Sequence, residues 1–401
     1  MKVGLPWASP RAYNIASDIS HRREPTVKEY ISLDVHKRYT FAEREDIMTK
    51  GVRQRRIEHE RGAIAAYLAD AESGTPVAVE ATGNWYWIVD EIEQAHCVAK
   101  LVHPRKAKVM MGCINKTDKL DVHGMNRLQR CETLPTVWIA PPEIRDLRDL
   151  PRTRMFFCQE RARLKNRIQA SLTKFALNVT GYSDGFGVGA REEMRKHILQ
   201  LPPHTQAMTN ELLRQLDLVE EQIDAQEKRI RAVVAQTPAM QLLRTLPGIG
   251  DILSVVIAME IGDISRFASA ERLASYAGTT PRISASGDKM RFGRLRSDVN
   301  HYLKWAFVEA ANCIRLHAKR HPDRHVTRLY KRIAVRRGHP KAVGAVARHL
   351  AESVFYVLSL KRAVQSRGSA TELFIPMPDK PSRELEKDLI AMHDGLKHLS
   401  P

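Results

Sequence analysis

Two acidic residues end apolar runs that are typical of buried strands. Asp34 ends the run that begins at Tyr30, and Glu80 ends the run that begins at Val77. Carboxylates at the ends of adjacent strands supply the oxygen ligands that hard divalent cations prefer. The two positions therefore indicate half of a metal site.

A second pair of acids lies in the stretch from Asn115 to His123. Asp118 and Asp121 are three residues apart, so a helix would place both carboxylates on one face. Like charges repel there, and a cation should gather them: either a divalent metal or the flanking Lys116 and Lys119. With the two strand-end acids, this pair could hold two cations such as Mg²⁺ or Mn²⁺. The alternative is that these are ordinary solvated acids and a helix cap.

A hydroxyl nucleophile is suggested by the serine-rich stretch of residues 283–297, which we interpret as an irregular segment. Ser286 directly precedes Gly287, whose small size lets a phosphodiester approach, and Ser284 offers a second hydroxyl. Nearby cations could contact phosphates or stabilise negative charge in a transition state. A Ser-Gly pair is also common without any such role. The cations are Arg282, Lys289, Arg291, Arg294 and Arg296.

A Gly-x-Gly turn at Leu246–Gly250 interrupts two predicted helices. Backbone N–H groups exposed at the following helix N-terminus would bind phosphate, which makes Gly248 and Gly250 candidate DNA contacts. A tight connection between helices is the alternative interpretation.

The composition points to nucleic acid as the partner. The 401 residues contain 64 Lys and Arg against 46 Asp and Glu, a net charge of +18. Neutralisation of phosphates dominates nucleic-acid binding, so such an excess favours that class of partner over an anionic membrane. We expect no membrane span and no signal peptide, and scattered cysteines indicate a cytoplasmic protein.

Alternating strand and helix patterns before Pro141 predict an α/β domain with a mixed sheet, and the remainder is predicted to be mainly helical. A helix is predicted over Ile57–Leu68. Residues Thr209–Val234 have the apolar spacing of an amphipathic or coiled-coil helix. This helix could mediate self-association or pack inside the chain.

Five motifs together resemble the DEDD-type transposases of bacterial insertion sequences, specifically the IS110 family and its IS1111 group. The resemblance covers roughly Tyr30 to Arg362. The motifs are Leu33–His36, Val79–Gly83, Asn115–Asp121, Leu246–Gly250, and Ala277–Arg282 running into Ser286-Gly287.

This resemblance implies an RNase H-like domain, similar to the RuvC junction resolvase, whose acidic tetrad matches Asp34, Glu80, Asp118 and Asp121. It implies a C-terminal transposase domain whose serine nucleophile matches Ser286. It also implies a structured non-coding guide RNA from the same element, which pairs with donor and target DNA. The expected organisation is an extension (1–26), the RuvC-like domain (27–140), a helical and coiled-coil segment (141–237), the transposase domain (238–363) and a tail (364–401).

We therefore expect a DNA recombinase that acts as a dimer or tetramer, with metal-assisted attack by Ser286 and a covalent protein–DNA ester. Two alternatives remain open. A junction nuclease would use only the tetrad and water, which leaves Ser286 without a role. A non-catalytic nucleic-acid-binding protein would tolerate substitution of every acid.

Overall fold

A computed structural model describes residues 27–112, 117–286, 289–296 and 298–361, and the backbone of 366–367 and 372–373. The described residues form two compact units, one ending at Ala140 and one beginning at Pro141. The first unit contains β1 (Glu29–Val35), β2 (Tyr39–Asp46), β3 (Val52–Glu58), α1 (Ala63–Leu68), β4 (Pro76–Glu80), α2 (Trp85–Gln94), β5 (Val98–Val102), α3 (Pro104–Met111) and α4 (Asp118–Arg130).

The second unit is mainly helical. Its helices are α5 (Pro142–Thr173), α6 (Val188–Ile198), α7 (Pro203–Val233), α8 (Pro238–Leu243), α9 (Asp251–Ile261), α10 (Ala270–Tyr276), α11 (His301–Leu316), α12 (His325–Arg337) and α13 (His339–Leu360). Its strands are β6 (Pro281–Ser286), β7 (Lys289–Leu295) and the two-residue pair β8 (Ser366–Arg367) and β9 (Glu372–Leu373).

The first unit has the predicted mixed sheet. Its five strands lie in the order β3-β2-β1-β4-β5. The first three strands pair antiparallel, whereas β1 pairs parallel with β4 and β4 with β5. A parallel pair needs a crossover, and α1 and α2 occupy the connections before β4 and β5.

The two faces of this sheet are packed differently. Alternate side chains such as Leu33 and Val79 are fully buried in an apolar cluster with Ile64 and Ile88 of α1 and α2. On the opposite face, Ala78 packs against apolar residues of α4. Because successive strand residues alternate between faces, the neighbours of Leu33 and Val79 point toward α4.

Polar contacts fix α4 on its face. Ser32 donates to the carbonyl oxygen of Val122 across 2.8 Å. The buried Glu43 carboxylate accepts from Asn126 Nδ2 at 3.1 Å, and Gln129 Nε2 donates to the carbonyl oxygen of Ile31 at 2.7 Å. Each contact satisfies a buried polar group, so the position of α4 is specified by more than apolar burial.

The helix predicted over Ile57–Leu68 is wrong in its first part. Ile57 belongs to β3, and only Ala63–Leu68 is helical. β3 is an edge strand whose side chains are exposed except for Ile57. Charged residues are favourable on an edge strand because they discourage pairing with another chain. They also replace the alternating apolar residues by which a strand is predicted from sequence.

The amphipathic pattern of α7 is explained by packing inside the chain. α7 lies antiparallel to α5, as the ion pairs Arg154–Glu227 and Lys165–Glu220 show. Leu216 and Ile223 of α7 are buried with Ile168 of α5 and residues of α6. This packing supplies a partner for the apolar face within the chain, and self-association through α7 stays a prediction.

The largest core of the second unit surrounds α9, in which Ser254–Ile261 are all buried. α13 is long and apolar enough to span a membrane by length and composition alone. Half of its apolar window is buried, and Val346, Leu350 and Val354 pack with α11 and α12 in the same core. The packing of α13 is thus that of a core helix.

The segment interpreted as irregular in the sequence is a β-hairpin. β6 and β7 pair antiparallel, with Ser284 opposite Arg291 and Ser286 opposite Lys289. The sequence alternates polar and apolar residues from Arg282 to Ser286, and Gly287-Asp288 stands between the strands. Glycine at the first position is typical of a two-residue hairpin turn, and the many cations obscured this pattern.

Candidate active site

The sheet brings two predicted acids to one edge. Leu33 of β1 pairs in parallel with Val79 of β4, so Asp34 and Glu80 occupy the next positions toward the carboxyl ends of their strands. By alternation both belong to the face covered by α4. Asp34 is buried, and Glu80 is partly exposed at the last position of its strand. The two acids therefore occupy neighbouring positions on adjacent parallel strands, and their shared role in a metal site stays a prediction.

The predicted acidic pair lies in the first turn of α4. Thr117 caps this helix by accepting from the Leu120 N–H, and Asp118 and Asp121 follow it. Negative charge is favourable at a helix N-terminus because unsatisfied N–H groups and the helix dipole are positive there. This effect offsets part of the repulsion between the two carboxylates.

Asp34, His36 and Asp118 form a compact group of possible metal ligands, with one ligand atom of each within 4.8 Å of the others. His36 Nε2 lies 3.3 Å from Asp34 Oδ2 and 3.1 Å from Asp118 Oδ2. Both are ion-pair distances, but the buried Nε2 atom makes no contact with hydrogen-bond geometry among the described residues. The two contacts contribute little as hydrogen bonds, because hydrogen bonds weaken steeply with misalignment.

A tyrosine orients one of these carboxylates. The Tyr39 hydroxyl donates to Asp118 Oδ2 across 3.0 Å, and the ring stacks at a tilt on His36 with centroids 4.6 Å apart. The hydrogen bond to Asp118 raises the pKa of Tyr39 above its ordinary value, with smaller contributions from burial and the charge of Asp118. Tyr39 is therefore a neutral donor to the site.

The donor set fits a divalent cation. It combines a buried carboxylate, a second carboxylate that accepts a hydrogen bond from a tyrosine, and an imidazole nitrogen that has no hydrogen-bond partner among the described residues. Carboxylates suit Mg²⁺ and Mn²⁺, whereas imidazole is a softer ligand. Within the described residues, Glu80 and Asp121 are not members of this compact group. The sequence prediction included both and assigned no role to His36, although His36 is the last residue of the Leu33–His36 motif.

Both serines of the hairpin are exposed on the same face of β6. Ser284 and Ser286 are exposed, two residues apart on β6, and so lie on one face with the exposed Arg282. Arg291 is opposite Ser284 and also exposed. The structure thus places an accessible hydroxyl beside guanidinium groups, but its exposure alone does not separate Ser286 from Ser284.

The remaining residues of the predicted site are distributed over several elements. Lys119 is exposed in the first turn of α4. Lys116 and Gly287 lie outside the described residues, as do the side chains of Lys289 and Arg294, although both backbones belong to β7. Among the predicted cations of the site, the structure therefore describes side chains for Arg282, Arg291, Arg296 and Lys119, and Arg296 forms an ion pair with Asp298.

The base of the hairpin is held by a buried polar network that the sequence did not reveal. Glu260 of α9 accepts from Arg152 at 2.7 Å and 3.0 Å, from Arg148 at 3.0 Å and from Asn300 at 2.8 Å. Asn300 also caps α11 by accepting from Tyr302 and Leu303. Gly278 adopts φ +68°, and a Cβ there would lie 2.5 Å from Val299 Cγ2. Both ends of the hairpin are thus tightly fixed.

The turn at Gly248 and Gly250 has a clear packing role. Gly248 adopts φ +81°, and a Cβ there would lie 2.3 Å from the backbone oxygen of Ala310 in α11. The next helix begins with Asp251, whose carboxylate lies 2.9 Å from Arg244. An acid at this N-terminus repels phosphate, so close helix packing explains Gly248 better. A Cβ at Gly250 would have no atom within 4 Å, and the phosphate contact of both glycines stays a prediction.

Two family models match separate parts of the chain. A model described as a transposase, of the DEDD type of IS110 elements, matches residues 31–176. A model described as the transposase IS116/IS110/IS902 family matches residues 240–326. The first match contains Asp34, His36, Glu80, Asp118 and Asp121, and the second contains the hairpin.

Curated relatives carry similar descriptions. A probable family 20 transposase of Pseudomonas aeruginosa is 24% identical over 59% of this chain and 70% of its own length. The transposase for insertion sequence element IS1111A of Coxiella burnetii is 23% identical over 65% of this chain and 71% of its own. The transposase for IS1328 of Yersinia enterocolitica is 25% identical over 53% of this chain and 63% of its own.

Proposed function

The chain belongs to the IS116/IS110/IS902 family of transposases, which cleave and transfer DNA strands, and on that premise we propose that it is a metal-dependent serine recombinase of its own insertion sequence. The observation that carries this proposal is the meeting of Asp34, His36 and Asp118 at the sheet edge. The sheet order β3-β2-β1-β4-β5 supports an RNase H-like fold for this unit.

In this proposal, Asp34, Glu80, Asp118 and Asp121 hold Mg²⁺ or Mn²⁺, with His36 as a further ligand. A bound divalent cation supplies Lewis-acid polarisation of the scissile phosphate. The Tyr39 hydroxyl keeps Asp118 in its ligating orientation through its hydrogen bond. Burial of Asp34 limits its movement, which pre-organises the carboxylate.

Ser286 is the proposed nucleophile. Its hydroxyl oxygen attacks phosphorus, the bond from phosphorus to the leaving oxygen breaks, and a phosphoserine ester joins protein and DNA. The serine gives up its proton and the leaving oxygen gains one. The ester conserves the energy of the phosphodiester bond, so rejoining needs no external energy source. Arg282 and Arg291, on the hairpin beside Ser284, are the proposed contacts to phosphate oxygens.

The proposed partners are donor and target DNA, a non-coding guide RNA from the element, and further copies of the chain in a dimer or tetramer. The net charge of +18 supports polyanion binding, and the family resemblance alone supports the guide RNA. Action on chromosomal DNA fits a bacterial cytoplasmic location. The proposed domains are residues 27–140, 141–237 and 238–363, between an extension and a tail.

Cleavage of DNA carrying the element ends tests the metal site. We expect Asp118→Asn to abolish cleavage because it removes a ligand charge, while binding and thermal unfolding stay close to wild type. Asp224→Asn, an exposed acid of α7, is the matched control and should cleave normally. Full cleavage by Asp118→Asn, or by the wild type in excess EDTA, would refute the proposal.

A further inference from the structure

The end of α11, the connection after it, helix α12 and the start of α13 carry one of the densest runs of positive charge in the chain. Residues 315–341 contain ten Lys and Arg and a single acid, Asp323. Four histidines lie in the same stretch. None of these residues was assigned to the proposed active site, and the function described above leaves them unexplained.

The cations of α12 form a stripe along one side of the helix. Arg328, Lys331, Arg332 and Arg336 are exposed and follow the spacing i, i+3, i+4 and i+8, which places them on one face. The opposite face is apolar and buried in the core, including Val326, Leu329 and Ile333. The helix is therefore fixed by its apolar face and directs this cationic stripe to solvent.

Arg328 of the stripe donates to the backbone oxygen of Asp323 across 2.7 Å, whereas Lys331, Arg332 and Arg336 lack a carboxylate partner in the described part of the chain. By contrast, exposed arginines of α5 and α7 pair with acids on their own helices, as in Arg163–Glu160 and Arg231–Glu227. At the nearby His321, burial and the charges of Arg324, Arg320 and His317 lower the pKa below its ordinary value. The surface thus has a positive potential.

The shape and chemistry of the stripe suit the backbone of duplex DNA. From Arg328 to Arg336 the helix rises about 12 Å, a straight row that matches a regular phosphate array. Single-stranded RNA is bound largely by aromatic stacking, and no Phe, Tyr or Trp is exposed within the described residues of α12. The half-buried Tyr330 instead bonds His339 at 2.9 Å.

We propose that Arg328, Lys331, Arg332 and Arg336 of α12 form a docking surface for the phosphate backbone of duplex DNA. This proposal deepens the recombinase function and rests on it. Phosphate contacts carry no sequence information, so the stripe positions the duplex without selecting its sequence.

The test is the salt dependence of duplex DNA binding by the full-length chain, measured by fluorescence anisotropy. The variant K331Q/R332Q/R336Q should bind more weakly, and the slope of log K against log salt should fall by about 3, because each neutralised phosphate contributes about 0.9. The control R163Q/R214Q/R231Q removes the same net charge from exposed ion-paired positions and should keep the wild-type slope.

Two further arms complete the design. Thermal unfolding checks that the triple variant is folded. If it is unfolded, the single variant Lys331→Gln replaces it in the test and should lower the slope by about 1. Single-stranded RNA should bind the variant and the wild type alike. Equal slopes in all proteins, equal loss in the control, or loss confined to RNA would overturn the proposal. Asp118→Asn should retain the full slope, so cleavage by that variant would refute the recombinase function while leaving the DNA-binding result interpretable.

Discussion

The backbone N–H of Asn300 donates to the carbonyl oxygen of Tyr276 across 2.9 Å, which joins the two ends of the segment that carries Ser286. Tyr276 is the last residue of α10, and Asn300 is the N-cap of α11. The Asn300 side chain also reaches the buried Glu260. An exposed hairpin is thus connected at its base to the core of the second unit, which restricts the positions available to its hydroxyl groups.

Glu260→Gln should strongly destabilise the second unit. The substitution removes a charge that lies between the guanidinium groups of Arg148 and Arg152, and breaking a buried ion pair costs about 3–5 kcal/mol. Equilibrium denaturation of the full chain measures this loss. Glu211→Gln, which breaks an exposed pair with Arg214, should cost only about 0–1 kcal/mol. Equal effects of the two substitutions would show that the network has no special role.

Tyr39→Phe should lower DNA cleavage by roughly 10–100-fold, because it removes the donor that orients Asp118. The variant should also need more Mg²⁺ for half of its maximal rate, which a metal titration of initial rates measures. Tyr67→Phe alters a tyrosine that packs with the apolar cluster on the other face of the sheet and should leave the titration unchanged. An unaltered Mg²⁺ requirement in Tyr39→Phe would exclude this orienting role.

The second unit should lose stability in mild acid through His349. Burial, with a smaller effect of His325 whose ring centroid lies 5.1 Å away, lowers the pKa of His349 to about 4. The unfolded chain therefore binds more protons than the folded chain between pH 4 and an unfolded pKa of about 6.5. The stabilisation is complete above the unfolded value and is lost as pH falls toward 4.

The upper limit of this loss is about 3 kcal/mol, and solvent contact of the partly exposed side chain reduces it. Denaturation of His349→Gln at pH 7 and pH 5 should show a smaller difference between the two pH values than in the wild type. His204→Gln, at an exposed position of α7, is the control. A wild-type pH dependence in His349→Gln would contradict the assignment.

The fold was predictable where apolar patterns were strong. The runs ending at Asp34 and Glu80 are buried strands, and the mixed sheet follows from them. β3 was missed because an exposed edge strand needs no apolar alternation, and its charges resemble those of a loop or helix. The hairpin of Ser286 was missed because cations dominate its sequence, although a Gly-Asp pair between two alternating runs is a hairpin signal in a sequence.

Two of the four predicted acids, Asp34 and Asp118, come together in the described structure, whereas the roles of Glu80 and Asp121 stay predictions. Asp34 and Asp118 are 84 positions apart in the sequence and come together in the structure. Their positions were predictable because carboxylates recur at the ends of strands and at the N-termini of helices. His36 and Tyr39 join them through the turn between β1 and β2, whose geometry no spacing rule supplied. Glu260 was unforeseen because a single acid in an apolar helix has no sequence pattern that identifies its partners.

Peptide mapping of DNA-linked protein from stalled reactions tests the central claim most directly. Wild-type protein with Mg²⁺ and element-end DNA should yield a nucleotide-modified peptide whose modified residue is Ser286. Asp34→Asn should yield none, because without the metal site the attack does not proceed. Modification of Ser284 in place of Ser286 would show that the nucleophile is the serine two residues earlier. Cleaved ends with free hydroxyl and phosphate groups, and no peptide adduct, would contradict the serine mechanism and favour a nuclease that uses water.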